Sequence, residues 1–329
     1  MPDRESRHAP GVPVTGEGTD EHPSDERVAW LFPGQGSQQV GMGRVLFKQS
    51  AAARRLFETA DSVLGRALSD ICFQGPEDLL RQTINTQPAI MTVSLACLAA
   101  AQERGDLTRP PSYVAGHSLG EYTAAVAAGA ISFEDGLSLV QERGRLMQQA
   151  GEQNPGAMAA ILGLGEPAVM KICEETGAEV CNVNAPEQVV IGGSPEAVEA
   201  ATQQARAAGA RRAIALNVSG AFHTTLMEPA AQGMAVALAA AEIHESPVPI
   251  IANGTGEPLA SADGLRRELA FQLTHAVQWQ RSVEYMMAQN VAAFVEFGPG
   301  QVLSGLVRRI APEARVVIVG ESEAPAARK

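Results

Sequence analysis

Basic residues are in short supply in this chain. Its 329 residues include 25 Lys and Arg against 37 Asp and Glu, a formal net charge of −12. That surplus repels polyanions, so nucleic acid and anionic membrane surfaces are disfavoured, and an acidic protein partner would need a local basic patch. Long apolar runs are missing too, since no stretch approaches the roughly 18 residues that a membrane span needs. Cysteine is scarce. The four present, Cys72, Cys97, Cys173 and Cys181, form no C-x-x-C pair, which argues against a metal site or disulfide framework and for a reducing compartment, with the cytoplasm as the expected location. Residues 1–27 are rich in Pro, Gly, Glu, Asp and Ser and lack a signal-peptide-like apolar stretch. A disordered tail is expected there.

What is present is an ordinary globular composition, 45% apolar, with enough chain for a main domain and an insertion. Val28–Phe32 reads as a short strand ending in the Gly-rich turn Pro33–Gln38, and helical patterning runs from Gly41 to Val63. Further helices are expected over Gln87–Gln102, Tyr122–Ala130 and Phe133–Gln149. Strand–helix alternation of this kind predicts an α/β fold, a parallel sheet covered by helices on both faces. The texture changes between Pro155 and Val218. Met158–Leu162, Glu166–Thr176, Glu179–Asn184, Gln188–Gly192, Pro195–Ala208 and Arg212–Leu216 read strand, helix, strand, strand, helix, strand, the order of a ferredoxin-like unit. Val248–Ala252, Ala292–Phe297 and Val316–Val319 then return to the main sheet. The expected division is a tail over 1–27, a hydrolase-like α/β core over 28–154 and 218–320, an inserted ferredoxin-like small domain over 155–217, and a flexible end over 321–329.

The densest chemical signal is Val114-Ala-Gly-His-Ser118-Leu-Gly-Glu-Tyr122, which sets a serine in the pattern Gly116-x-Ser118-x-Gly120. An apolar strand before it and an Ala-rich helix after it make this a nucleophile elbow. Glycines two residues either side remove the Cβ atoms that would clash in so tight a turn. The helix N-terminus directs unpaired N–H groups at an oxyanion forming nearby, so acyl chemistry follows. A serine hydroxyl needs a base, and histidine suits neutral pH. Of six candidates, His8 and His22 lie in the tail, His117 is placed for packing or backbone bonding, and His244 and His275 carry no local signal. His223, in Val218-Ser-Gly-Ala-Phe-His223, follows the last strand of the small domain, where a loop would face an inter-domain cleft.

Pro33-Gly-Gln35-Gly-Ser-Gln38, Gly116–Tyr122, Gln141-Glu-Arg143-Gly-Arg-Leu-Met147, Asn182-Val-Asn184-Ala-Pro186, Gly220–His223, Val277-Gln-Trp279 and Glu296-Phe-Gly-Pro-Gly300 occur in the order and spacing of the malonyl-CoA:acyl carrier protein transacylases. The resemblance runs from about Val28 to Val319. It implies Ser118 as nucleophile and His223 as base, oriented by backbone carbonyls rather than by an acidic residue. It also implies the Gln35 side chain and the Leu119 N–H as oxyanion donors, Arg143 as the grip on the malonyl carboxylate, and Gln272 as a pocket residue beside the histidine. Phe222, bulkier than the serine of methylmalonyl-preferring relatives, is expected to crowd the malonyl Cα, with Met147 and Asn184 lining the same pocket.

The expected function is therefore ping-pong transfer of a malonyl group from malonyl-CoA to the phosphopantetheine thiol of acyl carrier protein, with no metal or redox cofactor, by a monomer. Lys171, Arg206, Arg211 and Arg212 are candidates for the basic patch that meets an acidic carrier. An alternative is a serine acyl hydrolase sharing the elbow and the histidine; Arg143 speaks against one that handles neutral acyl chains. A catalytically silent docking module would have no need of Ser118, His223, Gln35 and Arg143 together.

Overall fold

Val28, Trp30 and Phe32 alternate along the first strand with Ala29 and Leu31, and apolar residues on both faces mark a strand covered by helices on both sides. In the computed structural model, which describes residues 26–320, this strand, β1 (Arg27–Phe32), lies inside a six-stranded sheet. The expected tail, except for its last two residues, lies outside the described residues, as do His8, His22 and the expected flexible end.

The other strands of this sheet are β2 (Tyr113–Gly116), β7 (Ile250–Ile251), β8 (Pro258–Leu259), β9 (Val291–Phe297) and β10 (Arg315–Val319). The order is β10-β9-β1-β2-β7-β8, parallel throughout except for β8 on β7. In the register, Phe32 faces Gly116 and Leu31 faces Glu296. The turns after β1, β2, β7 and β9 therefore emerge at one carboxyl edge, the place where open α/β sheets bind ligands.

Beneath that edge lies helix Thr83–Arg104, longer than the sequence suggests and buried over most of its length. By length and composition it could cross a membrane, yet here it is a core helix. It carries Pro88 in its second turn, which leaves the Ile84 carbonyl without its helical donor. The Arg66 guanidinium donates to that oxygen at 3.2 Å. The helix expected over Gly41–Val63 is in fact two, Arg44–Gln49 and Ala51–Leu64. Ser50 is extended and its hydroxyl accepts from Ala53 N–H, a side-chain cap that begins the second helix where the first ends.

A second, antiparallel sheet has the order β4-β5-β3-β6, formed by β3 (Ala157–Leu162), β4 (Glu179–Ala185), β5 (Gln188–Gly193) and β6 (Arg212–Ala215). Helices Glu166–Thr176 and Pro195–Ala207 join these strands in ferredoxin-like order and enclose a separate small core around Ile161, Val169 and Ile191. Val277 exchanges backbone hydrogen bonds with Cys181 and Val183, and so ties this sheet to the main one.

Candidate active site

Ser118 sits between β2 and helix Leu119–Ala127 with φ 55° and ψ −107°. A non-glycine residue there is strained by about 1–3 kcal/mol and persists only when its surroundings hold it. The flanking glycines are sterically required. A Cβ on Gly116 would lie 1.8 Å from the Gly120 carbonyl oxygen, and one on Gly120 would lie 2.0 Å from that of Phe32. The turn is held from outside by Asn253, whose Oδ1 accepts from Ser118 N–H at 2.6 Å and whose Nδ2 donates to Gly116 O at 2.7 Å. His117 packs as one of its two expected roles had it, its ring 5.7 Å from that of Trp279, and its Nε2 pairs with Asn184 Oδ1 at 2.8 Å.

The loop after β6 brings His223 to the serine. Nε2 lies 2.7 Å from Ser118 Oγ, and Nδ1 lies 2.6 Å from the carbonyl oxygen of Gln272. A carbonyl can only accept, so Nδ1 carries the hydrogen and Nε2 is left with the lone pair that faces the serine hydroxyl. The imidazole is buried, and its pKa is lowered to about 3 by that burial and then by the nearby Arg143 charge. It is therefore a neutral base at physiological pH.

Arg143 lies on helix Phe133–Gln153, which starts with Ser132 capping Asp135 N–H. Gly144 lets this helix approach the start of helix Thr83–Arg104; a Cβ there would lie 2.8 Å from Thr83 O. Only 1% exposed, the Arg143 guanidinium donates to Gln87 Oε1 at 2.9 Å, Gln272 Oε1 at 2.8 Å and Ser118 Oγ at 3.0 Å. All three acceptors are neutral, and Nε, also buried, has no partner. The cation sits 5.4 Å above the Tyr122 ring. Glu142 pairs instead with Arg145, at 2.6 Å. The arrangement is a buried positive charge beside a nucleophile, with no carboxylate bonded to it.

Gln272 links the parts. Its Nε2 donates to Ser118 O at 3.0 Å and to Glu121 Oε2 at 2.8 Å, while its own carbonyl orients His223. Glu121 is wholly buried, and its carboxyl is pushed well above the usual range by desolvation and by the neighbouring Glu268. Met147, one helical turn beyond Arg143, is buried with its Sδ 3.3 Å from Gln87 Nε2. Phe222 is buried next to His223. Asn184 is engaged with His117, which makes it a support for the nucleophile turn. The Gln35 carboxamide donates to Thr83 Oγ1 at 3.4 Å rather than to Ser118. Leu119 N–H opens its helix, where no intrahelical acceptor exists.

Asn253, Glu121, Gln87 and Thr83 belong to this assembly and escaped the sequence reading as functional residues. Glu121 lay inside the elbow motif; the other three have no local pattern. A cavity of about 290 Å³ opens at Gln35 between Arg81 and Asn217, on the junction with the small sheet. Larger cavities of about 690 Å³ beside Phe271 and about 610 Å³ beside Trp30 lie away from Ser118.

Residues 29–322 match the acyl transferase domain family. The malonyl CoA-acyl carrier protein transacylase of Escherichia coli (strain K12) is 43% identical over 305 residues, covering 92% of this chain and 98% of the relative. An acyl-carrier-protein S-malonyltransferase from Bartonella henselae superposes with a TM-score of 0.86 at 42% identity, covering 89% of this chain and 95% of its own. A malonyl-transacylase solved in complex with its type II polyketide synthase acyl-carrier protein gives a TM-score of 0.87 at 40% identity, covering 90% and 97%. With a Gly-bracketed serine, a carbonyl-oriented histidine and a buried arginine already in place, the chain belongs to the acyl transferase family and, within it, to the malonyl CoA-acyl carrier protein transacylases.

Proposed function

We propose that the protein moves a malonyl group from malonyl-CoA to the phosphopantetheine thiol of an acyl carrier protein through an ester on Ser118. One observation carries this: a desolvated guanidinium donates to the same Oγ, at 3.0 Å, that faces the histidine at 2.7 Å. A carboxylate close to the ester carbonyl is the group that such a cation can hold, and the guanidinium's parallel donors match it.

Chemistry follows from the geometry. The Ser118 hydroxyl gives its proton to His223 Nε2 as Oγ bonds to the thioester carbon. The oxyanion faces the Leu119 N–H, and Gln35, only weakly held by Thr83 at 3.4 Å, supplies the second donor; one such donor is worth about 3 kcal/mol in comparable sites. As the C–S bond breaks, the departing sulfur takes the proton from His223 and CoA leaves as a thiol. The carrier thiol then gives its proton to His223, its sulfur attacks the ester, the C–Oγ bond breaks, and Ser118 recovers its hydrogen. Both half-reactions use one base and one anion cradle.

Arg143 contributes in a second way. Its charge helps to depress the His223 pKa. A malonyl carboxylate neutralises that charge, so the imidazole becomes a stronger base when the correct acyl group is bound. Phe222 and Met147, both buried nearby, restrict space for a substituent on the acyl Cα. Arg212, exposed on β6, is the freest member of the expected carrier patch. Arg211 is paired with Glu187 at 3.0 Å, Arg206 with the Ala213 carbonyl at 3.1 Å, and Lys171 loosely with Glu175 at 4.0 Å.

The test is mass spectrometry after mixing with malonyl-CoA, followed by addition of holo carrier protein. A malonyl adduct on Ser118 that passes to the carrier faster than to water is the expected result. An adduct that persists in Ser118→Ala, or one that goes only to water, would overturn the reading.

A further inference from the structure

The hydrogen-bond ladder between β2 and β7 runs from Val114 opposite Ile250 to Ala115 opposite Ile251 and stops. It cannot continue through the backbone, because the chain after β7 turns back on itself: Ala252 N–H donates to Glu257 O, and Gly256 N–H donates to Ala252 O. The nucleophile turn begins at this point. Two of its backbone groups, Gly116 O and Ser118 N–H, thus face the end of a strand that has no main-chain partner to offer them.

Asn253 fills both. Its side chain has the donor and acceptor of a peptide unit, and it bonds Gly116 O at 2.7 Å and Ser118 N–H at 2.6 Å. The residue is itself fixed, being 1% exposed, with its N–H donated to Glu121 Oε1 at 3.0 Å and its carbonyl accepting from Gln278 N–H at 2.7 Å. Two consequences follow. Ser118 is held at φ 55° by bonds that a relaxed turn would break. The Ser118 N–H is also occupied, which leaves the Leu119 N–H as the elbow's free donor.

We infer that Asn253 is a positioning residue for acyl transfer, a side-chain substitute for the missing strand that clamps the nucleophile turn and reserves the oxyanion to the Leu119 N–H. This rests on the proposed acyl chemistry at Ser118. Asn253 bonds the turn's backbone and no hydroxyl or acyl group, so its loss should slow loading without weakening substrate binding.

Asn253→Asp gives a test with an internal switch. The ionised side chain still accepts from Ser118 N–H but repels Gly116 O; once protonated, it offers the same donor and acceptor as asparagine. The titratable groups facing it are Glu121 from helix Leu119–Ala127, whose carboxyl burial pushes well above the usual range, and Glu268 from helix Ala262–Phe271, also raised by burial and accepting from Gly254 N–H at 2.7 Å. Burial raises the pKa of the new acid, so loading is compared from about pH 8 down to about pH 5. Single-turnover loading of Ser118 by malonyl-CoA and by acetyl-CoA should be slowed about a hundredfold at the upper pH, the scale of a misplaced nucleophile. The slowing should be equal for the two esters, with half-saturating concentrations unchanged. The rate relative to wild type should recover as pH falls. Loading at the wild-type rate, a loss confined to half-saturation, or a loss that acid does not relieve would each overturn the assignment. Should the aspartate variant be unfolded by circular dichroism, Asn253→Ala carries the test, since it removes both bonds: slowed loading supports the clamp and full-rate loading overturns it. Wild-type enzyme that forms no Ser118 ester would instead defeat the acyl-transfer reading itself.

Discussion

Replacing Arg143 by alanine separates a carboxylate receptor from a structural charge. In the structure the guanidinium is 1% exposed and bonded only to neutral oxygens, so a bound malonyl carboxylate would be its sole direct counter-charge. Truncating one member of a buried charged pair costs about 2–5 kcal/mol, which corresponds to a loss of roughly 30-fold to several thousand-fold in kcat/KM for malonyl-CoA. Acetyl-CoA has no carboxylate to lose, and a neutral acyl group gains from the removal of a desolvated cation. The mutation also deletes the 3.0 Å bond to Ser118 Oγ and the field on His223, which alters the reactivity of the serine toward both esters. The assay should therefore report the ratio of the two specificity constants, from which such shared effects cancel. A fall of that ratio by at least the lower bound is expected. An unchanged ratio would mean that Arg143 supports the fold alone, and the dicarboxylate specificity would have to be abandoned.

Other outcomes can be checked with the same preparation. The His223 pKa is lowered to about 3, by burial and then by Arg143, so kcat/KM for loading, which reports the free enzyme, should persist into acid and fall only as pH approaches that value. In Arg143→Ala the second cause is gone, the pKa rises, and the acid limb for acetyl loading should move toward neutrality; a limb that stays in place would show that the arginine field does not reach the base. For the carrier, Arg211→Glu with Arg212→Glu should raise its KM and flatten the salt dependence while leaving malonyl-CoA unaffected. Equal effects on both substrates would remove these residues from the interface. Ser118→Ala should form no covalent adduct by mass spectrometry and keep its circular dichroism spectrum.

Much of the fold was legible because its signals are local. Alternating strand and helix texture gave the parallel sheet, and the six-element run from Met158 to Leu216 gave the small antiparallel one, since period and turn residues are written into adjacent positions. Boundaries were less so. The break at Ser50 is a capping hydrogen bond inside an otherwise continuous helical pattern. Helix Thr83–Arg104 runs through Pro88, and Arg66, from outside that helix, serves the carbonyl that the proline abandons. Val248–Ala252 looked like a full strand by composition, yet only Ile250 and Ile251 pair, because Gly256 at φ 75° and the Ala252–Glu257 bond fold the chain back.

The site divides along the same line. Ser118 was found because a nucleophile at a strained turn demands glycines at fixed spacing, and that demand is visible in five residues. His223 was marked by its place after the last strand of the small domain, and Arg143 and Gln272 by a family resemblance, whereas what they do to one another is set by the fold. A carbonyl from Gln272 fixes the histidine tautomer, its amide oxygen receives the arginine, and its amide nitrogen bridges Ser118 O to Glu121. None of those bonds has a sequence spacing, because each joins elements far apart in the chain. Asn253 is the sharpest case. It matters because β7 ends two residues before it and β2 turns opposite it, a coincidence of register between strands more than a hundred residues apart in the chain. The asparagine therefore carries no mark of its own in the sequence: what it does depends on the two backbone groups that the strand geometry leaves unpaired.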